Sequence, residues 1–206
     1  MDANTKRNLE LTESLRLKSR NYSLLWLLDK TRTAMGSRML KNWIENPLVN
    51  MNEINKRYDI IESLLEEFIL KEELRALLFE VYDLERLCGR IGYGNTNGRD
   101  LIQLKNSLKV LPNIKRIINQ LKFYKDIEVL DDLYNLLDKS ISEDAPLTIK
   151  EGGVIKSGYN SELDSLKKNR SSGKDFIINM ETEERERTGI KNLKVGYNKV
   201  FGYYIE

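Results

Sequence analysis

The sequence predicts a mainly α-helical, multi-helix domain with three added features: a small β-hairpin near 146–157, a long lever-like helix over 160–188, and a terminal β-hairpin over 193–206. Three observations carry this reading. Apolar residues recur at steps of three and four from Leu24 to Ile141, the period of one helix face. Glycine and proline are sparse, 12 and 3 in 206 residues, which argues against long disordered linkers. Strand-like runs occur only after Ala145-Pro146 and after Gly189.

The elements follow in order. Residues 23–46 read as one or two helices, with a dense cluster at Leu24–Leu28, then Met35, Met39, Leu40, Trp43 and Ile44 on one face, and Pro47 as the stop. Asn52 is the expected N-cap of the next helix. Its stripe of Ile54, Tyr58, Ile61 and Leu65, flanked by Ile60, Leu64 and Phe68, has the width of a core-facing surface. Residues 71–91 continue in helical style to the break at Gly92–Gly98. Beyond it, Leu101, Leu104, Leu108 and Leu111 lead into Ile114, Ile117, Ile118 and Leu121, and Pro112 should kink or divide that helix. A shorter helix presents Leu130, Leu133, Leu137 and Ile141 inward. Leu147–Lys150 and Val154–Lys156, on either side of Glu151-Gly152-Gly153, read as two strands and a tight turn.

The segment 160–188 differs from the rest. Its apolar residues are confined to Leu163 and Leu166 near the start and to Phe176, Ile177, Ile178 and Met180 further on. A helix polar on all sides is not driven by core burial; it bridges parts through solvent or rests on side-chain pairs. Glu181 with Arg185, and Glu183 with Arg187, stand four apart in the favourable order, each worth about 0.2–0.5 kcal/mol. Ser171-Ser172-Gly173 is the place where it would bend, and Gly189 is its stop. Leu193, Val195 and Tyr197 then alternate with polar or small residues, and a turn near Asn198-Lys199 leads into Val200–Ile205. A strand-like run reaching Glu206 leads us to expect a piece cut from a longer polypeptide, since an unpaired strand edge is a liability.

The composition narrows the function. There is no histidine and one cysteine, Cys88, which removes the commonest general base, the usual zinc ligands and any internal disulfide. No catalytic and no metal-ligating residue is assigned. A reducing, cytoplasmic setting is expected, because no apolar run approaches the length of a membrane span and the N-terminus lacks a signal-peptide core. Ser172-Gly173-Lys174 resembles the end of a phosphate-binding loop, but Lys168 and Asp175 stand where that loop needs Gly and Ser or Thr. Asp131-Asp132 and Glu183-Glu184 point in different directions on a helix and read as solvated faces. Net charge is only +2, with basic excess at 1–58 and 101–126. Tyr197, Phe201, Tyr203 and Tyr204 lie among lysines, which makes Lys194 and Lys199 candidate contacts to a nucleic-acid backbone.

The run Arg185-Glu186-Arg187-Thr188-Gly189-Ile190, then Leu193–Asn198, then Val200–Ile205, resembles the MutS family of bacterial mismatch-repair proteins where its lever helices enter the DNA clamp. Arg7–Leu11, Thr33–Leu40 with Trp43 and Pro47, Asp83–Arg86, Arg99–Leu101, and Gly152–Ile155 through Gly158–Asp164 are similar in the same order. The resemblance implies a core or lever domain over 1–188, lacking its return helices, and the truncated start of a clamp over 189–206. It implies a piece that links an ATPase to a clamp on double-stranded DNA, within a homodimer that recruits a MutL-type partner and sits with the nucleoid. ATP and Mg would belong to the whole protein, with no cofactor in this part and no ATP hydrolysis by it. The segment 160–188 is then expected to carry movement, with Ser171, Ser172 and Gly173 as its hinge and Glu181, Arg185 and Arg187 as its bracing pairs. The alternative is a stand-alone helical module that binds DNA without regard to sequence.

Overall fold

A computed structural model describes residues 2–121, 127–200 and 202–206, the side chains of Ser171, Lys174 and Asp175 excepted. The chain forms two units, Met1–Ile155 and Lys156–Glu206.

The first unit is helical. Its order is α1 (Ala3–Asn8), α2 (Leu24–Leu28), α3 (Ala34–Glu45), α4 (Met51–Glu66), α5 (Phe68–Phe79), α6 (Leu84–Gly92), α7 (Gly98–Gln120) and α8 (Asp131–Ser140). The two apolar clusters of 23–46 are thus separate helices, α2 and α3. Helix α7 is the centre of the unit and packs on α5, α6 and α8. Its stripe of Leu104, Leu108, Val110, Ile114 and Ile117 is buried. Leu87 of α6, Leu137 of α8, Ile141 and Ala145 close the core around Leu104 and Leu108.

Helix α7 begins on a capping box: the Asn97 side chain accepts from the Asp100 amide at 2.9 Å, and Asp100 accepts from the Asn97 amide at 3.3 Å. Gly98 is required here by a close approach. A Cβ on it would stand 2.6 Å from the Ala145 Cβ. Pro112 does not divide the helix as expected; α7 runs unbroken through it. A mid-helix proline costs about 3 kcal/mol. Val110 on one side and Ile114 and Ile117 on the other are buried, and their packing offsets that cost. Two charged residues of α7, Asp100 and Lys105, are buried in the unit. Lys105 is 4% exposed, reaching Glu143 and, at 3.4 Å, Asp138. Burial alone would lower its pKa, but the two carboxylates outweigh it and raise it.

Three expectations are corrected here. The N-cap of α4 is Asn50, whose side chain accepts from the amides of Asn52 and Glu53, so the helix starts a residue before Asn52. The stripe on α4 is not core-facing: Ile54, Ile60 and Leu64 are half-buried, while Tyr58, Ile61 and Leu65 are exposed, as is Phe68. Amphipathic spacing specifies a face that water disfavours; it does not supply the surface that covers it. There is also no hairpin at 146–157. Ile149–Glu151 form a single 3-10 turn, and Ile155 makes an isolated antiparallel bridge to Ile141 instead. The Thr148 hydroxyl donates to Glu151 at 2.6 Å and closes the turn locally. Gly152 and Gly153, both at positive φ, redirect the chain, and the Val154 carbonyl accepts from the Ser142 amide at 2.9 Å.

The second unit holds the long helix α9 (Ser161–Thr188) and the strands β1 (Val195–Asn198) and β2 (Gly202–Ile205). The strands pair antiparallel with Val195 opposite Ile205 and Tyr197 opposite Tyr203. Among the described residues no helix is long and apolar enough to cross a membrane.

Candidate lever and nucleic-acid interface

Helix α9 is one continuous element of 28 residues, about 42 Å long at the usual rise. The Asn160 side chain caps its start by accepting from the Leu163 amide at 2.9 Å, and Asp164 accepts from the Gly158 amide at 2.7 Å. Its end is Gly189 in the left-handed region, φ 71°, donating to the Arg185 carbonyl at 2.9 Å. None of its described side chains is buried. Leu166, Phe176 and Ile178 are exposed, while Ile177, Met180, Glu181, Glu184 and Arg185 are half-buried along one stripe. The helix passes through Ser172 and Gly173 without interruption. As hinge candidates these two are exposed residues inside a regular helix. The Ser171 side chain lies outside the described residues.

The bracing pairs differ partly from the sequence expectation. Arg185 pairs with Glu181 as the spacing predicts. Arg187 pairs with Glu184, three residues back, through Nε at 2.9 Å and an Nη at 2.7 Å; Glu183 is exposed. The Glu184 carboxylate holds the Arg187 pKa above its ordinary value. Arg185 makes a second contact that spacing within a helix does not reveal. Its Nε donates to the Leu193 carbonyl at 2.7 Å. One guanidinium therefore ties the last turns of α9 to the residue that leads into β1. Leu193 itself is buried.

The hairpin has two distinct faces, because side chains alternate along a strand. Val195, Tyr197, Tyr203 and Ile205 share one face, with the Tyr197 and Tyr203 rings 5.1 Å apart. Val195 and Tyr203 line a cleft of about 590 Å³ with Phe176, Ile177 and Met180 of α9. On the other face the Tyr204 ring lies over Gly196, where a Cβ would meet it at 2.6 Å. Lys194 extends the ladder: its amide and carbonyl pair with Glu206 at 2.7 and 2.9 Å. Lys199 stands in the turn, which the Asn198 side chain closes by accepting from the Val200 amide at 2.8 Å. Both lysines are exposed. They sit at opposite ends of the hairpin, about 16 Å apart along the strand, so they do not form one site. Phe201, the fourth aromatic of the sequence set, lies outside the described residues. The geometry holds two separated cations beside exposed tyrosines, an arrangement suited to touching a polyanion at two points.

Fold and site together define a class: a helical domain that continues, through a long polar helix, into a β-hairpin. The MutS domain III family model matches residues 4–195. The chain is 52% identical over 212 residues to the DNA mismatch repair protein MutS of Bacillus pumilus, and 51% identical over 212 residues to that of Bacillus subtilis. It is 50% identical over 211 residues to the MutS of Staphylococcus epidermidis. Each alignment covers all of this chain and 24–25% of the relative, so the chain spans about a quarter of the length of these proteins. The chain belongs to the MutS family and corresponds to its domain III.

Proposed function

We propose that this domain is the mechanical link of a mismatch-repair protein. It joins a clamp on double-stranded DNA to an ATPase that uses ATP and Mg, and passes nucleotide-dependent movement between them. Helix α9 is the moving element, and Lys194 and Lys199 touch the DNA backbone at the two ends of the hairpin. The whole protein works as a homodimer with a MutL-type partner. The observation that carries this reading is the character of α9. It is 28 residues long with no buried side chain among those described, yet it is tied at its far end to the hairpin by Arg185. Such a helix takes its position from its ends rather than from a core beneath it, and allostery needs an element with more than one arrangement.

The test is made in the full-length protein. Replacing Ser172 and Gly173 by Ala stiffens the middle of α9 by about 1–1.5 kcal/mol of helix propensity. The expected result is unchanged ATP hydrolysis without DNA and altered release of mismatched DNA on adding ATP. Release indistinguishable from the unaltered protein would remove α9 from the coupling.

A further inference from the structure

The first 45 residues hold a charged cleft that the lever reading leaves unused. We propose that the cleft between α1, the loop after it and α3 binds a small phosphate-bearing anion of nucleotide size. Its volume is about 590 Å³, within the range of small-molecule sites. Four cations line it: Lys6 and Arg7 in the last turn of α1, Lys18 in the loop, and Lys41 on α3. Two carboxylates, Glu13 and Glu45, also line it, which leaves the rim with a formal charge of +2. Several cations elsewhere are matched: Arg20 to Asp29, Arg38 to Asp83 and Glu85, Arg90 to Asp100, Lys105 to Glu143, Arg116 to Glu73. None of the cleft's four cations forms such a pair within the described residues.

A second observation points the same way. Ser14 lines this cleft, is 6% exposed, and its hydroxyl has no hydrogen-bond partner. Leaving a buried hydroxyl unmatched costs about 1–3 kcal/mol, and a phosphate oxygen is an acceptor that would satisfy it. The loop is held for the purpose without secondary structure. The Ser14 amide donates to the Ser19 carbonyl at 2.8 Å, and the Lys18 amide to the Ser14 carbonyl at 2.9 Å. The Glu10 carboxylate accepts from the Leu15 amide, and the Leu24 and Leu25 amides close the loop onto Glu10 and Leu11 at 3.0 and 2.9 Å. Lys18 is kept at φ 47°, a conformation that non-glycine residues adopt seldom and at a cost. Three lysines and one arginine suit phosphate, which an ammonium binds as a point charge. Concavity suits a compact anion better than a duplex, whose phosphates lie along a ridge.

The 206-residue chain, isotopically labelled, is titrated with inorganic tripolyphosphate at constant ionic strength while its amide resonances are followed. The expected result is saturable shifts confined to residues 6–18 and 41. Lys18→Gln with Lys41→Gln should weaken binding at least tenfold, and Ser14→Ala about threefold; Lys150→Gln should leave it unchanged. A parallel titration with a short DNA duplex identifies the source of the phosphate. The proposal requires shifts of these residues with tripolyphosphate and not with duplex; the same shifts with duplex alone would overturn it in favour of a backbone contact. Shifts that do not saturate, that spread over other lysines, or that survive the double substitution would overturn it outright. The map on the unaltered chain decides the matter even if a variant fails to fold.

Discussion

Arg38 shows how single residues hold this fold. It lies on α3, and its guanidinium meets Asp83 at 2.7 and 2.8 Å and Glu85 at 2.6 and 2.9 Å, at the start of α6. Asp83 also caps α6 by accepting from the Arg86 amide at 3.3 Å. The Arg38 hydrogen bonds hold the Asp83 carboxyl at about 2, below the ordinary 3.8. A folded-state pKa below the unfolded one means stability that is present above pH 3.8 and lost as pH falls towards 2. We expect Asp83→Asn to lower the melting temperature at neutral pH, and the gap from the unaltered chain to close on acidification between pH 4 and 2. A gap constant across that range would show that the ion pair contributes nothing. Gly98 makes the second residue-scale prediction. With Ala145 Cβ 2.6 Å from where its own would stand, Gly98→Ala must push the 145 loop away. The cost should be about 1–3 kcal/mol, the usual range for overpacking, read as a lower urea midpoint.

At the scale of elements, the contact to test is the one between α9 and the hairpin. Arg185→Ala removes both the Glu181 pair and the hydrogen bond to the Leu193 carbonyl. Arg185 is partly exposed, so the loss is roughly 1 kcal/mol rather than the larger figure for a buried charged bond. Amide exchange at residues 193–195 should quicken by about fivefold, with α9 itself still helical by circular dichroism. Arg185→Lys should not restore protection, since an ammonium cannot span both acceptors with the fork of a guanidinium. Elements were legible in the sequence where one local signal sufficed. Helix α9 with its Gly189 stop, the 193–206 hairpin, and the break at Gly92–Gly98 all follow from spacing and turn residues. What failed depended on the rest of the molecule. Pro112 reads as a breaker until Ile114 and Ile117 are known to be buried beside it. Leu147–Lys150 and Val154–Lys156 read as paired strands until Ile155 is found bridging Ile141. The α4 stripe reads as core until its environment is known. In the candidate site, the sequence singles out Lys194 and Lys199 as cations among aromatics, and the structure shows both exposed on the hairpin. The sequence does not reveal the Arg185–Leu193 tie, because a hydrogen bond to a backbone carbonyl leaves no mark on residue spacing.

For the whole molecule, the lever reading and the stand-alone DNA-binding reading separate on salt. A self-sufficient binder loses affinity steeply with ionic strength, by nearly one logarithmic unit of slope per phosphate contacted. With two exposed, well-separated lysines on the hairpin, this chain should bind duplex weakly and without preference for a mismatch. In the full-length protein, Lys194→Gln and Lys199→Gln should each reduce the salt slope by about one, measured by fluorescence anisotropy across a salt series. Tight binding by the 206-residue chain alone, with a steep slope, would favour the module over the link.

The length of α9 has a consequence for how such a chain tolerates change. Each residue of an α-helix advances the axis by 1.5 Å and turns it by about 100°. Adding or deleting one residue between Leu166 and Phe176 would leave every exposed side chain content and the helix intact. It would also swing the hairpin a quarter-turn and more about the axis relative to the first turn of α9, aiming Val195 and Tyr203 in a new direction. Substitutions along the polar middle outside residues 171–173 cost the helix little, while insertions there alter phase. Drift in this stretch should therefore show up in its letters and spare its count.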